Sequence, residues 1–244
     1  MIWTDTSIGR AYANERDVVV RNKDRQSSYQ GVLYVHGSEG GDGGSSQWMG
    51  IKTRWPVMRA VGEKCLMVCA DLAGNQTWGN DTAISRLSAA RTYMRGIAGV
   101  KQGRVNILAQ SMGATTALAW AAANPTLVGR IVLMIPVINL SDVHANSSMY
   151  RPYINAAYGG SYTEAAFGAT HNPLTMAQLG KLAGVPIQMW YGTADALCKP
   201  EHAVMFANAV STCEPRPIPG GHAESTLIGI DQDIVASFLA TERS

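Results

Sequence analysis

Short apolar runs recur at long intervals along the chain. "GVLYVHG" (31–37), "KCLMVCA" (64–70), "RVNILAQ" (104–110), "GRIVLMIP" (129–136) and "VPIQMWYG" (185–192) are each bounded by Gly, Pro or polar residues. Apolar side chains occupy both sides of the alternation in these runs, as suits strands buried on both faces of a parallel sheet. "RDVVVRN" (16–22) is rich in valine but alternates too little to define its class. Helix-period segments lie between the runs. Ile51, Trp55, Met58 and Val61 keep a spacing of three to four, as do Ile84, Leu87, Ala90, Met94 and Ile97 after a cap expected at Asp81 or Thr82. Leu227, Ile234, Val235 and Phe238 nearly complete such a stripe near the C-terminus, with Asp231 interrupting it. Strands alternating with helices predict an α/β fold, its mostly parallel central sheet covered by helices on both faces through right-handed crossovers.

One interval breaks the rhythm. Residues 137–184 separate two predicted strands by far more chain than a crossover helix needs, and they carry Tyr150, Tyr153, Tyr158, Tyr162 and Phe167. Long plain loops are rare, so the stretch is expected to form a helical cap inserted over one edge of the sheet.

Composition narrows the picture. A chain of 244 residues that is 46% hydrophobic fits a single domain over 1–244 with a sizeable core. With 20 basic and 18 acidic residues the formal charge is +2, and the nearest approach to a basic cluster, "RNKDR" at 21–25, is interrupted by Asp24. Nucleic acid and anionic membranes are therefore not expected partners. The segment "MIWTDTSIGRAYANERD" lacks the apolar core of a signal peptide, and the longest apolar run, "IVLMIPVI" (131–138), is too short to span a membrane. A cytoplasmic or otherwise soluble protein is the expectation. Cys65, Cys69, Cys198 and Cys213 show no C-x-x-C spacing and are read as free thiols.

The candidate chemistry centres on "VNILAQSMGATTALAWAAANP" (105–125). Ser111 falls where a strand must turn sharply into a helix, between Ala109 and Gly113, two small residues that such a strained turn requires. Gly113, Ala117 and Ala121 give the following helix a small face for close approach to the sheet. Its N-terminus would aim free N–H groups at the serine. Taken alone the pattern occurs by chance, and a plain turn serine would explain it.

A serine nucleophile needs a base. His222 in "PIPGGHAEST" sits in a glycine-preceded loop before the last helix, whereas His36, His144, His171 and His202 are expected to serve structural roles. The histidine needs an acid. Asp195 lies three residues past the end of a predicted strand, where capping the next helix is the competing use; Asp142 in "INLSD" is its rival. The glycine-rich "VHGSEGGDGGSSQW" (35–48) can turn backbone N–H groups toward an oxyanion. It has neither the Gly-Lys-Ser/Thr ending nor the G-x-G-x-x-G arrangement of a phosphate loop.

This arrangement resembles the α/β-hydrolase superfamily, in its esterase- and lipase-like members, from about residue 30 onward: a strand and His-Gly loop, a strand–nucleophile–helix turn, a strand and Asp loop ("GTADALCKP"), then a loop bearing His ("GGH"). "ADLAGNQTWGN" (70–80) is similar to a turn common after the next strand in that superfamily. The resemblance implies Ser111 as nucleophile, His222 as base, Asp195 as acid, and the N–H groups of Ser38 (with Glu39 as the alternative) and Met112 as the oxyanion hole. Ala109 stands where the superfamily more often has glycine. The implied activity is hydrolysis of acyl esters through an acyl-enzyme without metal or organic cofactor, with acyl transfer or thioester cleavage as variants. A non-catalytic module on the same scaffold is the reading from another class. Trp48 and Trp78, beside the oxyanion loop and the next strand, are expected to line a substrate pocket. No cluster with metal-ligand spacing is evident in the sequence.

Overall fold

The computed structural model describes residues 2–4, 18–21, 29–38, 54–70 and 72–243. Within them eight strands form one sheet: β1 (Ile2–Thr4), β2 (Val18–Arg21), β3 (Gln30–Val35), β4 (Cys65–Cys69), β5 (Val105–Gln110), β6 (Val128–Met134), β7 (Ile187–Gly192) and β8 (Cys213–Ile218). They lie in the order β1-β2-β4-β3-β5-β6-β7-β8. β1 and β2 pair antiparallel at one edge, and every pairing from β4 through β8 is parallel.

The helices are α1 (Trp55–Lys64), α2 (Asp81–Arg95), α3 (Gly113–Ala123), α4 (Leu140–Asn146), α5 (Arg151–Ala157), α6 (Glu164–His171), α7 (Pro173–Gln178), α8 (Pro200–Ala209) and α9 (Gln232–Ala240), with a 3-10 turn at Glu224–Gly229 before the last. β3, β4 and β5 are buried at every position, which explains why apolar side chains occupy both of their faces. One face of the sheet packs on α2, α3 and α8 through residues such as Leu87, Leu118, Ile107 and Phe206. The other packs on α1 and α9 through Met58, Val61, Leu108 and Leu239. A polar residue inside β5 is matched rather than stranded: Asn106 donates to Leu239 O and accepts from Arg130 N–H.

Two local expectations shift by a residue or so. The cap of α2 is Asn80, whose side chain accepts from Ala83 N–H at 3.0 Å, rather than Asp81 or Thr82. Asp231 does not interrupt a helical stripe. It is the N-cap of α9, accepting from Asp233 and Ile234 N–H, and Leu227 belongs to the 3-10 turn ahead of it.

The stretch between β6 and β7 divides into two parts. α6 and α7 pack against α3, as a crossover helix would. α4 and α5 build a separate small core around Trp78 and Met112 with Val137, Leu140, Val143 and Ile154. That core is tied down by Tyr158 Oη–H donating to Trp78 O (2.9 Å) and Asn80 Nδ2–H donating to Ala157 O (3.2 Å). Among the described residues no helix is long and apolar enough to cross a membrane.

The chain crosses from β3 outward to β4, then returns to β5 on β3's other side. The helices that follow β3 and β5 lie on opposite faces of the sheet, and the carboxyl ends of these neighbouring strands mark the point at which such sheets open a crevice.

Candidate active site

Ser111 occupies the turn from β5 into α3 with φ +48°, a left-handed conformation that is uncommon outside glycine. One neighbouring segment fixes both of its backbone groups. Ser111 N–H donates to Met134 O and Ser111 O accepts from Val137 N–H, each at 3.0 Å. The demand for a small residue at 113 has a visible cause. A Cβ there would come within 2.4 Å of Val35 O and 2.5 Å of His36 O, so α3 can press against the end of β3 only if it begins with glycine.

Three side chains from distant parts of the chain meet at this edge. Ser111 Oγ lies 2.7 Å from His222 Nε2, and His222 Nδ1 lies 2.8 Å from Asp195 Oδ2. Asp195 is nearly inaccessible, at 1% side-chain exposure, while His222 keeps 16%. The other carboxylate oxygen, Oδ1, accepts from Leu197 N–H (2.9 Å) and Cys198 N–H (2.7 Å). One carboxylate thus both orders its own loop and faces the imidazole. Two contacts hold the loops bearing Asp195 and His222 together: Ala194 N–H donates to Gly220 O and Thr193 N–H to Ile218 O, both at 2.9 Å. Gly192 and Gly220 face each other there, and a Cβ on Gly192 would sit 2.6 Å from Gly220 O.

Asp142, the rival acid, pairs instead with Lys199 at 2.8 Å. The remaining histidines make structural contacts: His144 with Asn155, His171 with Asp81, and His202 with Asn139. His36 accepts from Leu72 N–H at Nε2 and approaches Gly37 O through Nδ1, which ties down the loop after β3.

A cleft of about 270 Å³ opens over Ser111, lined also by Ser38, Ile135, Tyr150, His222 and Glu224. Ser38 is held from beneath. Its hydroxyl accepts from Gln76 Nε2–H at 2.7 Å, and Gln76 in turn accepts from the Trp78 indole at 3.0 Å. Trp78 does not line this cleft. It is 1% exposed, lies under Tyr150 with ring centroids 5.0 Å apart, and bears on the site through Gln76. Met112 follows Ser111 directly and is equally buried. Trp48, Glu39 and Asp71 lie outside the described residues.

Sequence reading singled out neither Ile135 nor Glu224. Glu224 forms an ion pair with Arg54, whose side chain is fully buried, and accepts from Gln110 Nε2–H at 3.4 Å. Its place two residues after His222 is the only signal the sequence offers. Cys198, one of the four free thiols, stands beside Asp195 and His222. Donor atoms of Asp195, Cys198 and His222 lie within 4.8 Å of one another, because folding joins loops that the sequence separates. Burial, and then the nearby Asp195 carboxylate, push the Cys198 thiol well above its usual range. Burial, reinforced by Cys198, also raises the Tyr150 phenol.

A parallel sheet with an antiparallel edge, a strained serine at the β5–α3 turn, and acid and histidine loops after β7 and β8 together define the α/β-hydrolase fold. Solved structures agree across nearly the whole chain. A fluorophosphonate-binding serine hydrolase of Staphylococcus aureus, FphF, superposes with a TM-score of 0.71 at 14% identity, covering 93% of this chain and 92% of that one. An S-formylglutathione hydrolase from Agrobacterium tumefaciens gives 0.68 at 15% identity, covering 91% and 89%. An esterase of Pyrococcus furiosus gives 0.63 at 19% identity, covering 93% and 91%. In sequence, 136 residues are 29% identical to 2-hydroxy-6-oxononadienedioate/2-hydroxy-6-oxononatrienedioate hydrolase 2 of Pseudomonas putida, 54% of this chain and 45% of that protein. The chain thus spans about half the length of the curated relative it matches. No family model matches the chain.

Proposed function

We propose that this protein is a serine hydrolase of carboxylic esters. The observation that carries the reading is the continuous line from Ser111 Oγ through His222 to the buried Asp195 carboxylate, with contacts of 2.7 and 2.8 Å. Asp195 selects the imidazole tautomer that carries its proton on Nδ1, leaving the Nε2 lone pair toward Ser111. His222 takes the Ser111 proton as Oγ attacks the ester carbonyl. The resulting tetrahedral oxyanion is held by the Ser38 and Met112 N–H groups. His222 then gives its proton to the departing alcohol, and water releases the acid by the same steps in reverse order. The hydrolases of like fold are consistent with this chemistry.

The test is direct. The wild-type chain should hydrolyse p-nitrophenyl acetate and take up a fluorophosphonate probe on the peptide containing Ser111. Ser111→Ala should lose both while keeping the wild-type circular dichroism spectrum. Undiminished turnover by that variant would rule out Ser111 as nucleophile.

A further inference from the structure

We propose that Ile135 limits the size of the substrate: its side chain closes the inner end of the cleft and restricts the acyl group to a short chain. The inference rests on the ester-hydrolase reading and specifies which esters that site takes.

Ile135 is the residue at which two cavities meet. It lines the 270 Å³ cleft together with Ser111 and His222. It also lines a second cavity of about 10 Å³ bounded by Asp195, Cys198, Tyr191 and His202. The second space holds one water at most. The first falls below the roughly 300–1,000 Å³ of pockets that engulf drug-sized ligands. Ile135 is 3% exposed and belongs to the apolar cluster that includes Met134, Trp190 and Leu227, so it stands between the two spaces as a packed residue. The leaving alcohol must collect a proton from His222 and escape to solvent. In this proposal the acyl group lies on the Ile135 side of the cleft, away from that exit.

The boundary is also rigid. Ile135 adopts φ +41°, a genuine outlier for a β-branched residue and a conformation that glycine takes freely. Its N–H donates to Trp190 O at 2.7 Å, and the residues on either side of the Ile135–Pro136 pair supply both backbone partners of Ser111. The backbone cannot flip to relieve the strain without releasing the nucleophile. The main chain at Ile135 therefore cannot move aside to admit a longer chain without disturbing Ser111.

The experiment compares kcat/KM for p-nitrophenyl acetate, butyrate and octanoate in the wild type, Ile135→Ala and Ile135→Val, with fluorophosphonate labelling of Ser111 and circular dichroism as checks on the folded site. The wild type should favour the short esters. Ile135→Ala should raise the octanoate-to-acetate ratio by about tenfold or more, and Ile135→Val should shift it less in the same direction. If the alanine variant does not fold, the valine variant decides. A wild type that prefers octanoate, or folded and labelled variants whose ratio stays within twofold of wild type, would overturn the inference while leaving the hydrolase reading intact. A wild type that cleaves none of the esters and takes no label at Ser111 would remove both.

Discussion

Asp195 performs two tasks with its two oxygens. Oδ1 accepts from two N–H groups of its own loop and Oδ2 faces His222, so the carboxylate is held in place by the loop that carries it. Asp195→Asn keeps the shape but turns an amide N–H toward Nδ1 or loses the acceptor, which favours the wrong tautomer of His222. The expected outcome is a fall in kcat on the order of 10⁴-fold with little change in KM, measured on p-nitrophenyl acetate. Ser111 and His222 stood out in the sequence because their chemistry leaves a local mark: small residues flank one and glycines precede the other. Ile135 left none. Its hydrophobic neighbours read as the end of a strand, and only the positive φ and the two adjoining cavities set it apart. Trp78 shows the converse. Its position suggested a pocket wall, yet burial under Tyr150 directs its indole to Gln76 and from there to Ser38.

Between elements, the closest approaches are made by glycines. α3 begins at Gly113 because the carbonyl oxygens of Val35 and His36 occupy the space where a side chain would start. Gly113→Ala should drive α3 away from the β3 loop, costing about 1–3 kcal/mol of stability, in the range of overpacked core sites. It should also lower kcat, because Ser38 and Ser111 sit on the two elements that separate. Urea unfolding and ester turnover measured together check this, and an unchanged urea midpoint would show that the contact gives way without cost. The small residues around Ser111 made this packing legible in advance. Helix boundaries were less so. Asn80, Asp81 and Thr82 are all competent caps, and the choice of Asn80 follows from the backbone path out of the Trp78–Gly79 turn, where φ is positive at both residues.

For the molecule as a whole, the parallel sheet could be read from strands apolar on both faces and spaced by helices. The stretch 137–184 was harder. Its length set it apart, but periodicity cannot separate α7, which packs on α3 and α8, from α4 and α5, which gather on Trp78 and Met112. The tyrosines and cysteines packed in and below this region give the fold a dependence on alkaline pH. Burial holds the Tyr150, Tyr158 and Tyr162 phenols and the Cys198 thiol above their usual values and pushes Cys213 up to about 12. Below its ordinary value near 9, Cys213 is protonated in both folded and unfolded chains, and its contribution to stability is complete. Above that value the unfolded chain loses the proton first, so stability declines as pH rises from about 9 toward 12. Urea midpoints measured across this range should fall in the wild type and fall less steeply in Cys213→Ala. Parallel curves would exclude Cys213 as a contributor.

The clasp on Ser111 bears on any attempt to re-engineer the protein. Met134 and Val137, which grip the serine's main chain, are also where the chain leaves β6 for α4 and α5. Grafting a different set of helices to change selectivity would thus disturb reactivity as well, unless the junction keeps residues 134–137 and the splice begins beyond them.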